Sequence, residues 1–352
     1  MTIEYFGIYS IFSATNLRER LLEATSYLVH MWFTVPPLRS VLWFPNYLAN
    51  ICRVSVSVLA QAVDGEMRIG SKLLGGAQSY LKSSLESRKY KEVFESINSY
   101  CMFIGYPMSG HSLIGSLLDA HRHMLIAHEL DALAYVEAGF SKNQLFYLLL
   151  ERSREFTESG RKWMGYTYVV PNQWQGKFDE LKVIGDKKGG RSTLRLGSNP
   201  QLLQRLRQTV SVNVKFIHIT RNPYDNITTI GKKSDQVHKD KFENLGKDLG
   251  TAIDYFFYLC DINKDIIRQI SSKDLFECKY ESFISEPRRY LSELCEFLGV
   301  EVEEDYLVDC AGTIFKSPHK SRFDIEWDPK SIDIVNNKMK DFDFLSGYSF
   351  DS

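Results

Sequence analysis

The chain has 352 residues, 44% of them hydrophobic and 25% charged, enough to bury the core of one large α/β domain or two smaller ones. Forty-three basic residues against 44 acidic ones leave a formal net charge of −1. That balance excludes the broad basic surface needed for sequence-independent nucleic-acid binding and leaves room only for a local basic cleft. Six cysteines (Cys52, Cys101, Cys260, Cys278, Cys295 and Cys310) form no CxxC pair and sit mostly in apolar runs. They read as buried thiols of a reducing compartment, not as a disulfide frame or a zinc site.

Residues 1–95 read as a helical N-terminal extension and 96–352 as the main domain. Glu4 interrupts the opening apolar run and no basic stretch precedes an apolar core, so a cytoplasmic location is expected and a secretory signal is not. Val41 to Val63 is apolar, but Pro45, Asn46, Asn50, Arg53 and Gln61 interrupt it. A spanning helix needs about 20 predominantly apolar residues. Aromatics between Tyr27 and Tyr47 keep membrane-surface attachment or a substrate lid as alternatives to simple packing on the main domain.

The first legible element is an apolar strand, Tyr100 to Ile104, that runs through Gly105-Tyr106-Pro107-Met108-Ser109-Gly110-His111-Ser112 into a helix expected over Ser112 to His121. The start of such a helix presents unpartnered N–H groups to an anion, usually a phosphate. Gly105 and Gly110 allow positive φ and close approach, and the hydroxyls of Ser109 and Ser112 can add hydrogen bonds. The spacing is that of a Walker A loop, except that His111 stands where the motif needs its Lys. After a short apolar run to His128 and Glu129, an amphipathic helix is expected over Asn143 to Glu158. The loop from Trp163 to Trp174, with Tyr166 and Tyr168, reads either as surface packing or as an acceptor-binding wall. A third strand from Leu181 ends in the charged pair Lys187-Lys188.

A second anion-type element follows in Lys215 to Thr229, where a strand ends at Arg221 and a helix begins. Two phosphate-type sites at two strand ends suggest a ligand with two separated phosphates. Gly231 to Lys241 reads as a mobile basic segment, Phe242 to Ile270 as a core helix, Leu275 to Tyr280 as a strand, and Arg288 to Leu298 as a helix stopped by Gly299. Lys316 to Arg322 is a basic loop. Strands alternating with helices predict an α/β fold, a mostly parallel sheet with helices on both faces, whose ligands bind at the carboxyl ends of the strands.

Gly105 to Ser112, together with Arg221-Asn222-Pro223-Tyr224-Asp225 and Thr229, resembles the two signature loops of the sulfotransferases that use 3′-phosphoadenosine 5′-phosphosulfate (PAPS). Either loop alone is a weak signal; both in the family's order form a strong one. The resemblance covers roughly residues 100 to 325 and implies a P-loop-like sulfotransferase architecture. It also implies that Ser109, Gly110, His111 and Ser112 cradle the 5′-phosphosulfate while Arg221 and Thr229 hold the 3′-phosphate. Glu129 matches the family's catalytic base by position, although Arg122 replaces the usual Pro after His121. His128 and His111 compete for that role, and Glu129 could instead cap a helix beginning near Leu130. Lys187 matches a Lys beside the transferred group. Because Met108 stands where many relatives carry Lys or Arg, Lys187, Lys188 and His111 are the cations available to the leaving phosphate. Tyr280, in Tyr280 to Pro287, resembles the family's Tyr beside the adenine, and Lys320 and Arg322 lie where relatives close over the nucleotide.

The resemblance thus implies a PAPS-dependent enzyme acting by in-line transfer, without a metal, on a hydroxyl or amine of a small, natural-product-like molecule. Its alternatives are a carbohydrate or protein acceptor, a P-loop kinase using ATP and Mg²⁺, and a degenerate nucleotide-binding relative, which Met108 and His111 would favour.

Overall fold

Five parallel strands, largely buried except along the last, an edge strand, form the centre of the computed structural model, which describes residues 66–234 and 248–352. In chain order they are β1 (Ser99–Gly105), β2 (Met124–His128), β3 (Val183–Lys187), β4 (Asn213–Thr220) and β5 (Leu275–Lys279). Their order across the sheet is β2-β3-β1-β4-β5. The central β1 pairs with β3 from Ser99↔Val183 and with β4 as far as Gly105↔Ile219. Near-continuous apolar strands are what a sheet covered on both faces requires.

Alternation along each strand sorts the core into two faces. Tyr100, Met102, Ile104, Leu125, Ile184 and Phe216 point to one side, where α3 (Ala132–Glu137) and α4 (Lys142–Glu158) contribute Leu133, Leu145 and Leu149. Cys101, Phe103, Ile126, Val183, Ile217 and Ile219 point to the other, against Ile114, Leu117 and Leu118 of α2 (His111–Leu118) and Leu291 and Leu294 of a helix at Pro287–Leu298. The chain divides into two compact units, residues 1–75 and 76–352, and the sheet belongs to the second.

Local chemistry sets the helix ends. Ser141 and Gln144 form a reciprocal capping box that starts α4. Asn222 accepts the N–H of Tyr224, with Pro223 in the first turn, to start the helix Pro223–Lys232. The long core helix begins at Leu249, capped by Asp248, and ends at Ile267; the earlier start expected at Phe242 lies outside the described residues. Gly299, at φ +80°, ends the helix Pro287–Leu298 as expected. α2 stops at Leu118, three residues before the expected His121.

A two-stranded hairpin, Lys162–Trp163 with Tyr166–Thr167, occupies the start of the expected aromatic loop. A helix, α1, spans Glu66–Glu86. Val41 to Val63, the Tyr27 to Tyr47 aromatics and Cys52 lie outside the described residues, as does most of Gly231 to Lys241. Among the described residues no helix is long and apolar enough to cross a membrane, and the five described cysteines are free and buried.

Candidate functional site

The first loop leaves the centre of the sheet and turns through three positive-φ residues, Gly105 (+135°), Met108 (+63°) and Gly110 (+96°), before α2 begins. Gly110 is required sterically as well: a Cβ there would lie 2.4 Å from Cδ2 of Tyr280, whose ring packs onto the loop backbone. At the start of α2 the Leu113 and Ile114 N–H groups donate to the Gly110 carbonyl at 3.1 and 3.2 Å, and those of His111 and Ser112 have no place in the helix's own ladder. His111 turns inward. Its Nε2 lies 3.1 Å from the Ile104 carbonyl and its Nδ1 3.0 Å from Ser109 Oγ, and burial pushes the ring down to about 3, so it is neutral. Ser109, fully buried, donates to the Tyr106 carbonyl at 2.8 Å. Expected to meet the anion with their side chains, Ser109 and His111 instead brace the loop from behind, leaving the main chain and Ser112.

Lys187, at the end of β3, reaches this loop from the neighbouring strand. Its Nζ donates to Ser112 Oγ at 2.9 Å and to Glu129 Oε1 at 2.5 Å, while Lys188 Nζ lies 2.6 Å from Glu129 Oε2. Gly115 makes room, since a Cβ there would meet Lys187 Cγ at 2.7 Å. Burial alone would raise the Glu129 carboxyl, but the two ammonium groups outweigh it and hold the group down at about 2. Glu129 is therefore ionised and sits at φ +63°, its N–H donating to the Lys187 carbonyl at 3.2 Å. Beside it, His128 stacks on Phe156 with 4.0 Å between ring centroids, with Trp163 5.1 Å away edge-on. Neither ring nitrogen of His128 has a hydrogen-bond partner, and burial pushes it down to about 2. Burial pushes the Tyr168 hydroxyl, from the aromatic loop, up to about 12, and the nearby Ser112 side chain opposes the rise.

The second loop is tied to the first. Arg221, 8% exposed, donates from Nη1 to the Met108 carbonyl (3.2 Å) and from Nη2 to the His319 carbonyl (2.6 Å) and Ser321 Oγ (3.1 Å). Its guanidinium lies 5.6 Å from the centre of the Tyr280 ring. Thr229 Oγ1 donates to the Asp225 carbonyl at 2.8 Å and is 3.1 Å from Ser321 Oγ. Asn226 Nδ2 donates to the Pro107 carbonyl at 2.7 Å. Lys320 is exposed, with Nζ 3.4 Å from the Ser352 carbonyl. Arg322 is 1% exposed: its Nη1 pairs with Asp225 Oδ2 at 2.8 Å, which ties it to the helix Pro223–Lys232, while its buried Nε has no partner in the protein.

Spacing alone did not reveal Lys188 as a partner of Glu129, nor Asn226 and Ser321. Next to Glu129 lies a cleft of about 330 Å³ lined by Ser79 and Lys82 of α1, Leu130, Tyr135, Tyr147 and Arg152. Arg152 Nε donates to the His128 carbonyl at 2.8 Å, joining the cleft wall to the end of β2.

The model of the sulfotransferase family matches residues 102–304. No curated protein matches the chain. Among solved structures, the sulfotransferase domain from the curacin biosynthetic pathway is 15% identical, with a TM-score of 0.44 over 70% of this chain and 99% of that one. A sulfotransferase from Mycobacterium tuberculosis is 12% identical, TM-score 0.44, over 85% and 92% respectively. A mouse sulfotransferase solved with PAP is 12% identical, TM-score 0.40, over 71% and 87%.

Proposed function

Because the matched segment spans more than half of its length, the chain belongs to the sulfotransferase family, and we propose that it moves a sulfuryl group from PAPS to a hydroxyl or amine of a small molecule. The observation that carries this reading is the position of Lys187, hydrogen-bonded at once to Ser112 of the anion loop and to the Glu129 carboxylate.

In this scheme the main chain at the start of α2 and Ser112 hold the phosphosulfate, with helix-end dipoles favouring its charge. The acceptor oxygen or nitrogen attacks sulfur in line, the bond from sulfur to the bridging oxygen breaks, and the electron pair leaves with the 5′-phosphate, where the Lys187 ammonium stabilises it. Glu129 takes the acceptor's proton. Its carboxyl is a weak base while both lysines neutralise it, but an anionic donor in the loop competes for Lys187 and returns basicity to Glu129. His111, neutral and turned inward, supplies no charge to the leaving group. Protein cations and a helix end carry the charge, so the scheme requires no metal.

Two features fit the donor's other end. Arg221 has a buried Nε with no partner in the protein, a donor for a 3′-phosphate oxygen beside Thr229 and Ser321. The Tyr280 ring, packed where a Cβ at residue 110 would stand, offers a flat surface for adenine. A cleft of about 330 Å³ next to Glu129 has the size of a small-ligand site. Buried free thiols suit a reducing, cytoplasmic setting.

Calorimetric titration tests the donor class. Adenosine 3′,5′-bisphosphate should bind without Mg²⁺, and more tightly than ATP with Mg²⁺. The reverse preference would return the first loop to kinase chemistry.

A further inference from the structure

The turn between β2 and α3 holds two non-glycine residues in the left-handed region, Glu129 at φ +63° and Asp131 at φ +67°. Side chains rarely adopt this conformation, and surrounding contacts must hold it in place. Asp186, the residue before Lys187, supplies those contacts. It is 1% exposed; its Oδ1 accepts the N–H of Leu130 at 3.1 Å and its Oδ2 the N–H of Ala132 at 2.8 Å. Arg195 secures the other side of the turn, donating from Nε and Nη2 to the two oxygens of Asp131, each at 2.7 Å.

Consecutive residues of a strand project to opposite faces, so the Asp186-Lys187 pair serves both sides of one strand end. Lys187 reaches over α2 toward the anion loop, and Asp186 turns to the face that carries α3. We propose that Asp186 is the positioning residue for Glu129: through the amides of Leu130 and Ala132 it keeps Glu129 in the one backbone conformation that sets its carboxylate against Lys187 and Lys188. The inference rests on Glu129 as the base named above and adds the device that aims it.

A pH signature follows from the surroundings. Burial raises the Asp186 carboxyl to about 6; Glu129 pushes it the same way, while the two amides and Lys188 oppose the rise. Tyr100 from β1, Tyr135 from α3 and the Lys187 ammonium also face it. Protonated, Asp186 keeps one good acceptor for two amides and loses its grip on the turn. Turnover should therefore fall as pH drops through about 6. Glu129 is held near 2 in the free protein and rises when a donor draws Lys187 away, so Asp186→Asn, which removes only the Asp186 carboxyl, decides which group sets the limb.

The test compares the wild type with Asp186→Asn, following release of adenosine 3′,5′-bisphosphate from PAPS with simple phenols, alcohols and amines as acceptor probes. Misplacing the base should lower kcat by about 10- to 100-fold. The donor KM should stay within about twofold, and the acid limb should vanish. Unchanged kcat, or a donor KM that rises in step with the loss, overturns the proposal. If the variant fails to fold, the wild type decides: protection of the Leu130 and Ala132 amides against hydrogen exchange should fall together with kcat below pH 6, and a flat kcat to pH 5 refutes the idea. Absence of any donor turnover in the wild type would count against the proposed function. Amide protection in Asp186→Asn then judges the turn separately, and protection equal to the wild type overturns the assignment.

Discussion

Arg221 joins three segments, and its truncation gives the sharpest test of the donor site. Its guanidinium holds the Met108 carbonyl of the first loop, the His319 carbonyl and the Ser321 hydroxyl, and faces the Tyr280 ring. Hydrogen bonds to a charged group contribute about 1.5–3 kcal/mol each. On Arg221→Ala the three protein acceptors can partly rehydrate through the neighbouring basic loop, where Lys316, Ser317 and Lys320 are exposed, whereas a bound 3′-phosphate would lose its cation outright. A net loss of about 2–4 kcal/mol corresponds to binding about 30- to 1,000-fold weaker for adenosine 3′,5′-bisphosphate. Adenosine 5′-monophosphate, which lacks the 3′-phosphate, should lose far less, so calorimetry with both nucleotides isolates the 3′ contribution. Arg221→Lys should recover only part of the loss, because a single ammonium cannot span carbonyls from two segments while also meeting a phosphate. An equal loss for both nucleotides would mean that the loops had collapsed, and no loss for either would mean that Arg221 does not face the ligand; each result refutes the assignment.

Gly110→Ala should weaken nucleotide binding and lower stability by about 1–3 kcal/mol, because a side chain at φ +96° is strained and its Cβ would stand 2.4 Å from the Tyr280 ring. A melting temperature and bisphosphate affinity equal to the wild type would show that Tyr280 does not pack on the loop. Stability should also depend on pH through the buried histidines. Burial holds His111 at about 3 and His128 at about 2 in the folded state, below the ordinary value of 6.5, so the unfolded chain takes up protons that the folded one refuses. Each ring removes about 1.4 kcal/mol of stability per pH unit as pH falls below about 6.5. Asp186, raised to about 6, has the opposite sign and offsets part of this below that pH. Urea unfolding at pH 7 and pH 5 should show His128→Phe losing less stability on acidification than the wild type; equal losses would place a charge on His128 in the folded state.

Most of the fold was legible because hydrophobic period and turn chemistry are local. The strand from Tyr100, the strand ending at Lys187, the strand ending just before Arg221 and the glycine stop at Gly299 all follow from residues within a few positions of each other. The site was legible as a set of loops but not as a set of side-chain directions. Ser109 and His111 fall on the anion loop by spacing, yet left-handed turns at Met108 and Gly110 rotate both inward, and no residue pattern encodes that rotation. Arg322 lies on the basic loop by charge, but its carboxylate partner, Asp225, comes from a helix distant in sequence. The charged tip Lys187-Lys188 is visible in the sequence only as the end of a strand. Only the approach of β2 to β3 shows that its two ammonium groups share one carboxylate.

That arrangement also bears on whether the site is degenerate. The case for a non-catalytic relative drew on Met108, which leaves the first loop without a basic side chain, and on His111 in place of a Lys. Met108 has structural employment: its carbonyl accepts from Arg221 and its side chain packs against the cluster that contains Tyr106 and Tyr224. His111 fills the space beneath Gly105 and Gly189, where added Cβ atoms would meet the ring at 3.0 and 2.7 Å. The cation that neither position supplies arrives from the adjacent strand, through the gap at Gly115, as Lys187. A cation placed this way has a property that a loop lysine lacks, since it is bonded beforehand to Glu129, the carboxylate proposed as the base. In the proposed scheme an anion that enters the loop weakens the pair, so occupation of the donor site and basicity of Glu129 would rise together, and the carboxylate would be least able to take a proton when no donor is bound.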